Sequence, residues 1–143
     1  MTPYTFRRTD SWKGESSNPK GSESTRRSLN FRDNKIYLSK MLSDQMGIVA
    51  GSHLAFTYDE DKPQNIYIRT ADDPDDTHDI QSKVSYAKKS KGSLRCCNIA
   101  VVRHVLHHVG ADRACTCYVS PSPILINGKQ HYQILVGCPI MVN

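Results

Sequence analysis

The chain has 143 residues, which is enough for one domain or two very small ones, and its hydrophobic fraction of 38% is below that of an average globular protein. The net charge of +5 permits an anionic partner such as nucleic acid. No stretch approaches the ~18 consecutive apolar residues of a membrane-spanning helix. The five cysteines are odd in number and cluster late in the chain, which favours free thiols in a cytoplasmic protein over an extracellular disulfide framework.

Residues 1–32 are rich in Ser, Gly, Pro and Arg and contain almost no aliphatic side chains. They carry seven Lys or Arg against three Asp or Glu, so a net +4 of the chain's +5 lies in this segment. Such a composition cannot bury enough apolar area to offset the entropy of ordering, and it predicts a disordered basic arm. The arm is either a flexible solubilising tail or a cation-rich segment that neutralises phosphates.

The pattern of residues 33–70 predicts a strand, a short helix and two further strands. The stretch KIYL alternates as a strand does, and KMLSDQM follows as one or two helical turns. Ser39 stands where a helix N-cap is expected, and Gly47 where a helix ends with a residue at positive φ. The stretches HLAFTY and IYIRT then predict a hairpin around the polar loop DEDKPQN. A β-α-β-β unit of this size cannot bury its own apolar face, so it needs a second unit.

A second block, residues 95–137, follows a solvated polar linker, residues 71–94, whose first half is acidic. The only structure expected in this linker is a short strand near Ile80 to Tyr86. Sliding this block against the first unit by 63 positions places Gly110 on the helix-ending glycine and predicts a first strand at Ile99 and Val101. Other apolar positions match in the same way: Cys117 with Leu54, Val119 with Phe56 and, after a longer hairpin loop, Ile134 with Ile68. The shared order of elements predicts an internal repeat whose two halves form one core.

The first unit resembles the swapped-hairpin AbrB/MazE/SpoVT family, whose pattern is a strand, a short helix carrying a leucine, a Leu-Gly-Ile stretch, a glycine turn and an alternating hairpin. The matching residues are Asn34-Lys35-Ile36-Tyr37-Leu38-Ser39, Leu42, Met46-Gly47-Ile48 and Ala50-Gly51. The resemblance implies a mainly β protein with short helices, in which two β-α-β-β halves form a swapped-hairpin or double-psi-like barrel. A chain with two copies is similar to the MraZ-like proteins, which implies one tandem domain over residues 33–143 that acts as an internal pseudo-dimer.

The same resemblance implies a DNA-binding protein, a transcriptional regulator whose partner is double-stranded DNA, with a homo-oligomer or a protein partner as a further expectation. Lys35 matches the basic residue of the family's first strand, and Arg103 matches Lys40 in the second copy. With the arm included, the expected DNA-contacting residues are Arg7, Arg8, Arg26, Arg27, Arg32, Lys35, Lys40, Arg95 and Arg103. Two alternatives stay open: a protein-interaction or structural module of a larger assembly, with the arm as its tether, and an antitoxin.

The stretch RHVLHHVGADRACTCY is the remaining chemical feature of the sequence. His104 and His108 share a helix face at i,i+4, and Cys115 and Cys117 share a strand face. These four side chains are the ligands that a metal would use, but their spacing differs from that of zinc-binding pairs. We therefore expect Cys117 in the core, the histidines on a solvated helix face, and no metal or other cofactor. No catalytic motif is present, which predicts that the protein is not an enzyme.

Overall fold

The computed structural model of the chain describes residues 2–7, 27–72, 76–87 and 90–140. Within these residues the protein is mainly β, with two α-helices and one 3-10 turn. The strands are β1 Pro3–Thr5, β2 Ser28–Arg32, β3 Lys35–Leu38, β4 His53–Asp59, β5 Lys62–Thr70, β6 Ser82–Lys83, β7 Ser85–Ala87, β8 Ser90–Cys97, β9 Ala114–Val119, β10 Ile124–Ile126 and β11 Lys129–Ile140. The helices are α1 Lys40–Met46 and α2 Ile99–Val109, and the 3-10 turn is His78–Ile80.

The strands form one sheet that curls into a half-barrel, with β1-β4-β5-β11-β9-β2-β3-β8-β7 as the order of neighbours. Two strands lie off this path, because β10 pairs with β11 and β6 pairs with β4. The strands that precede the two helices, β3 and β8, pair with each other, and Ile36 of β3 is opposite Cys96 of β8. The last strands also pair with one another, with Tyr67 of β5 opposite Gln133 of β11.

The concave face of the sheet and the inner face of α2 enclose the core. Alternate residues of each strand point inward, because successive side chains of a strand lie on opposite faces of the sheet. The helix contributes Val101 and Val105, which are fully buried. The largest fully buried strand residues are Leu29, Phe31, Ile36, Leu54, Phe56, Ile66, Ile68 and Ile134.

Both helices begin and end as their sequences direct. The Ser39 hydroxyl accepts a hydrogen bond from the backbone N–H of Leu42 at 3.2 Å, and Gly47 ends α1 at φ 68°. In α2, the Asn98 side chain accepts from the N–H of Val101 at 3.2 Å, and Gly110 ends the helix at φ 73°. The predicted caps at Ser39 and Gly47 are confirmed.

The expected disordered arm does not extend over all of residues 1–32. Pro3–Thr5 pairs with β4, and Ser28–Arg32 lies between β3 and β9. Leu29 and Phe31 are fully buried, since they alternate with polar neighbours and supply the inward face of a strand. Two isolated apolar residues therefore gave too weak a signal for a central strand. The intervening residues 8–26 lie outside the described part of the chain.

The prediction of a strand at Ile99 and Val101 is wrong, because these residues form the first turn of α2. The preceding strand ends at Cys97, and Asn98 caps the helix. With 11 residues against 7, α2 is about one turn longer than α1. A single offset of 63 positions aligns the helix-ending glycines but cannot also align the strands that precede the helices.

The segment predicted as a polar linker, residues 71–94, contributes to the sheet. It contains the 3-10 turn, β6 and β7, and β8 begins within it at Ser90. Val84, between β6 and β7, is fully buried. β6 and β7 lie where the sequence allows a short strand, near Ile80 to Tyr86, but the start of β8 within the segment was not predicted.

Candidate nucleic-acid interface

The convex face of β2, β3 and β8 brings together three cations that the sequence predicted as DNA-contacting. Register places Arg32 of β2 opposite Lys35 of β3, and Tyr37 of β3 opposite Arg95 of β8. Their chain neighbours Phe31, Ile36 and Cys96 face the core, so these four side chains lie on the outer side. We call the set Arg32, Lys35, Tyr37 and Arg95 the basic face.

Arg32 and Tyr37 form the fixed centre of the basic face. The guanidinium carbon of Arg32 lies 4.6 Å from the centre of the Tyr37 ring, which is cation–π geometry. The buried Nε of Arg32 has no hydrogen-bond partner among the described residues. The contact places the guanidinium beside Tyr37, and a guanidinium is a group that pairs readily with an anion such as phosphate.

The hairpin turn beside Arg32 and Lys35 is tight. Asp33 and Asn34 both have positive φ, 53° and 60°, as the two central residues of a type I′ turn require. Asp and Asn tolerate this conformation better than most residues. The turn therefore fixes the register that sets Arg32 against Lys35.

The other residues predicted to contact DNA lie at various distances from the basic face. Arg103 is exposed on α2 and lines a pocket with the turn residues Asp33 and Asn34, so it adjoins the face. Lys40 is exposed at the start of α1, beyond the opposite end of β3. Arg27 is half-buried just before β2.

The remaining arm residues do not join the face in the described structure. Arg7 forms an ion pair with Asp79, with its Nε 3.4 Å from the carboxylate. Arg8 and Arg26 lie outside the described residues. Two residues near the face were missed by the sequence reasoning: Tyr37, whose alternation within KIYL could have placed it on the outer side, and Arg113, which lines the same pocket as Arg103.

No ion pair connects Arg32, Lys35 or Arg95 to a carboxylate within the described ranges. A second group of cations behaves differently. Arg69 holds Asp76 through two bonds, from Nη2 at 2.6 Å and Nη1 at 3.2 Å, and Lys129 reaches the same carboxylate at 3.3 Å. We call these three residues the buried ion cluster.

The buried ion cluster corrects the interpretation of the acidic run in residues 71–94 as solvated. The side chains of Asp76 and Arg69 are only 2% and 7% exposed. His131 lies nearby and is itself buried. Burial lowers the pKa of His131; the charges of Arg69 and Lys129 act in the same direction, and its hydrogen bond with the Lys129 carbonyl opposes them.

The histidines of α2 are partly internal, which corrects the expectation of a solvated face. His104 is 2% exposed, and its Nε2 donates to the carbonyl of Pro63 at 2.7 Å. Its ring lies against Phe6 and Tyr58, with centroids 5.2 and 4.7 Å away. Burial lowers the pKa of His104 to about 4, assisted by the neighbouring histidines and opposed by the bond to Pro63.

Cys115 and Cys117 point into the core from β9, as predicted for Cys117. Both are fully buried, and their sulfur atoms lie 3.9 Å apart. The contact with Cys115 and burial raise the pKa of the Cys117 thiol, which keeps it protonated. In the part of the chain that the structure describes, no three His, Cys, Asp or Glu side chains are grouped as metal ligands.

Neither helix among the described residues is long and apolar enough to cross a membrane. The chain matches no protein-family model, no curated protein and no solved structure.

Proposed function

We propose that this protein binds double-stranded DNA and acts as a transcriptional regulator, with the basic face as the core of its binding surface. The observation that carries the proposal is that Arg32, Lys35 and Arg95 lie on one side of three paired strands and form no ion pair with a described carboxylate. Arg103 and Lys40 extend the surface at its two ends. The arginines before β2 supply further phosphate contacts.

Electrostatics supports an anionic partner for this arrangement. Like charges directly opposite each other on paired strands destabilise a sheet, and Arg32 and Lys35 occupy such positions. A phosphate placed between them would remove the repulsion and would gain charge-assisted hydrogen bonds.

The proposal includes an internal duplication, in which each half contributes a first strand, a helix and a hairpin to one swapped-hairpin barrel. The strand pairing supports it. The strands that precede the two helices, β3 and β8, pair with each other, and so do the second hairpin strands, β5 and β11. A pseudo-twofold axis between β3 and β8 would relate the two halves in this way. The basic face would then lie on that axis.

The experiment that tests the function compares two charge reversals of equal size in the full-length chain. Lys35→Glu alters the basic face, whereas Lys62→Glu alters an exposed lysine of β5, a strand separated from β2 by β11 and β9. Both variants have the same net charge. Binding to a labelled DNA duplex is measured by fluorescence anisotropy at one fixed salt concentration.

We expect Lys35→Glu to weaken binding by at least about tenfold, since it removes one phosphate contact and adds a repulsion. Lys62→Glu should change the affinity much less. Equal losses in the two variants would mean that only net charge matters, and the basic face would not be the binding surface. Competition with duplexes of random sequence then tests the regulator assignment, which requires some sequences to bind more tightly than others.

An interaction module is the second function with an observation in its favour. Leu125 is 71% exposed and Ile124 is 40% exposed on β10, the short outer strand of the β10–β11 hairpin. Exposed apolar side chains on such a strand are typical of a protein-binding edge. If protein binding through β10 were the function, Leu125→Ser would abolish it and Lys35→Glu would not. The antitoxin alternative has no observation of its own.

A further inference from the structure

A small pocket lies at the junction of the β2–β3 turn, α2 and the segment before β9. Its volume is about 170 Å³. Val102 and Leu106 of α2 form an apolar floor, and both are buried. An apolar cavity of about this size in another protein, about 150 Å³, holds one benzene molecule, so this pocket suits a ligand of comparable bulk.

The rim of the pocket carries both signs of charge. Arg103 and Arg113 supply two guanidinium groups, and Asp33 and Asp112 supply two carboxylates. In the described part of the chain, none of these four side chains forms an ion pair, although they surround one opening. Opposite charges are therefore held around the same space without neutralising each other.

A ligand that satisfies this rim must itself carry both charges. An isolated phosphate would meet the two guanidinium groups but would be repelled by Asp33 and Asp112. An isolated ammonium group would pair with the two carboxylates but would be repelled by Arg103 and Arg113. A molecule with a carboxylate and an ammonium group on one carbon, and a small apolar group for Val102 and Leu106, matches all three parts of the lining.

We propose that this pocket is a binding site for a small zwitterion of the α-amino-acid class. The carboxylate of the ligand pairs with Arg103 and Arg113, its ammonium group pairs with Asp33 and Asp112, and its aliphatic side chain rests on the buried floor. The site goes beyond the DNA-binding proposal and is argued from different contacts. Arg103 is the one residue common to both.

The test uses isotopically labelled full-length protein, followed by two-dimensional NMR in the absence of DNA. Three probes share a four-carbon isobutyl framework: L-valine, isovalerate and isobutylamine. Valine carries both charges, isovalerate only the carboxylate and isobutylamine only the ammonium group. We expect valine to produce saturable shifts at the amides around Asn34, Arg103 and Asp112. The two singly charged probes should bind at least about tenfold more weakly, since each loses a charge-assisted pair.

Variants make the assignment specific to the pocket. Arg113→Gln and Asp112→Asn should each weaken valine binding by about tenfold or more. Lys62→Gln and Glu60→Gln, exposed residues of the β4–β5 hairpin, are matched controls and should leave it unchanged. The spectra of all four variants report whether the fold is retained.

Three results would overturn the proposal: no saturable valine shifts, equal binding of valine and isovalerate, or shifts that map away from the pocket. Inorganic phosphate is the last probe. Binding of phosphate without binding of valine would make the pocket a simple anion site and would also contradict the inference. Because DNA is absent from the titration, none of these results bears on the DNA-binding proposal.

Discussion

Two groups of cations on the same curled sheet differ in whether a carboxylate pairs with them. In the buried ion cluster, Arg69 and Lys129 surround the carboxylate of Asp76. On the basic face, Arg32 and Lys35 lie side by side with no described carboxylate as a partner. The contrast indicates that the first group is part of the folded core, whereas the second is available to an anion from outside.

Burial explains why the two groups differ. A charge that leaves water must be paired, because its desolvation costs several kcal/mol. Arg69 and Asp76 meet this requirement with a two-bond contact and little exposure. Arg32, Lys35 and Arg95 are partly exposed to water, where an unpaired charge costs less than in the core. They can therefore remain unpaired with little loss in the free energy of unfolding.

The largest expected effect is on the buried ion cluster. Asp76→Asn removes the negative charge and leaves Arg69 buried without its partner. We expect the free energy of unfolding to fall by about 3–5 kcal/mol, measured by urea denaturation. Asp72→Asn is the control, since Asp72 is half-exposed in its 3.0 Å pair with His53 and should lose less than about 1 kcal/mol. Similar losses in both variants would mean that burial does not make the Asp76 pair contribute more to stability than the Asp72 pair.

The second expected effect is a pH dependence of the free energy of unfolding that comes from His104. The pKa of His104 is about 4 in the folded protein and 6.5 in the absence of perturbation. Between these values the unfolded chain binds a proton that the folded chain does not, so stability is full above about pH 6.5 and falls as the pH falls towards 4. The loss should reach roughly 2–3 kcal/mol.

Urea midpoints measured across this pH range check the prediction. His104→Gln keeps a donor for the Pro63 carbonyl but removes the titration, and it should flatten most of the pH dependence. His108 and His131, whose pKa values burial also lowers, account for the remainder. An unchanged pH profile in His104→Gln would assign the effect to other groups.

The smallest effect concerns the opposed pair Arg32 and Lys35. Lys35→Gln removes a like-charge contact between neighbouring strands, so it should raise the free energy of unfolding by a few tenths of a kcal/mol, about 0.2–0.5. The gain should shrink at high salt, because salt screens exposed charges. Lys62→Gln should give no such gain. A loss of stability in Lys35→Gln would contradict the view that these cations repel each other.

The ends of the first helix could be predicted from the sequence, because they depend on single residues. Ser39 and Gly47 define the first helix because hydrogen bonding at the cap and positive φ are properties of single residues. Cys117 was placed in the core because the repeat aligns it with the apolar Leu54, and because a free cysteine is often a small buried hydrophobe. Ile99 was misplaced because an apolar residue at a helix start and one in a strand give the same local signal.

Features that depend on distant partners could not be predicted in this way. Leu29 and Phe31 lie in a central strand only because β3 and β9 flank it. Asp76 looked solvated within an acidic run, and its partner Lys129 is 53 residues away. On the basic face, Lys35 and Arg95 were singled out from sequence, but their approach to Arg32 requires the pairing of β3 with β2 and β8.

The most direct test of the central claim is the salt dependence of DNA binding by the wild type and by the triple variant Arg32→Gln, Lys35→Gln, Arg95→Gln. Each phosphate contact contributes about 0.9 to the slope of log affinity against log salt. The account predicts that the triple variant keeps its stability within about 0.5 kcal/mol or gains slightly, and loses about 2.7 from the slope. An unchanged slope in a folded triple variant would show that the basic face does not contact phosphates.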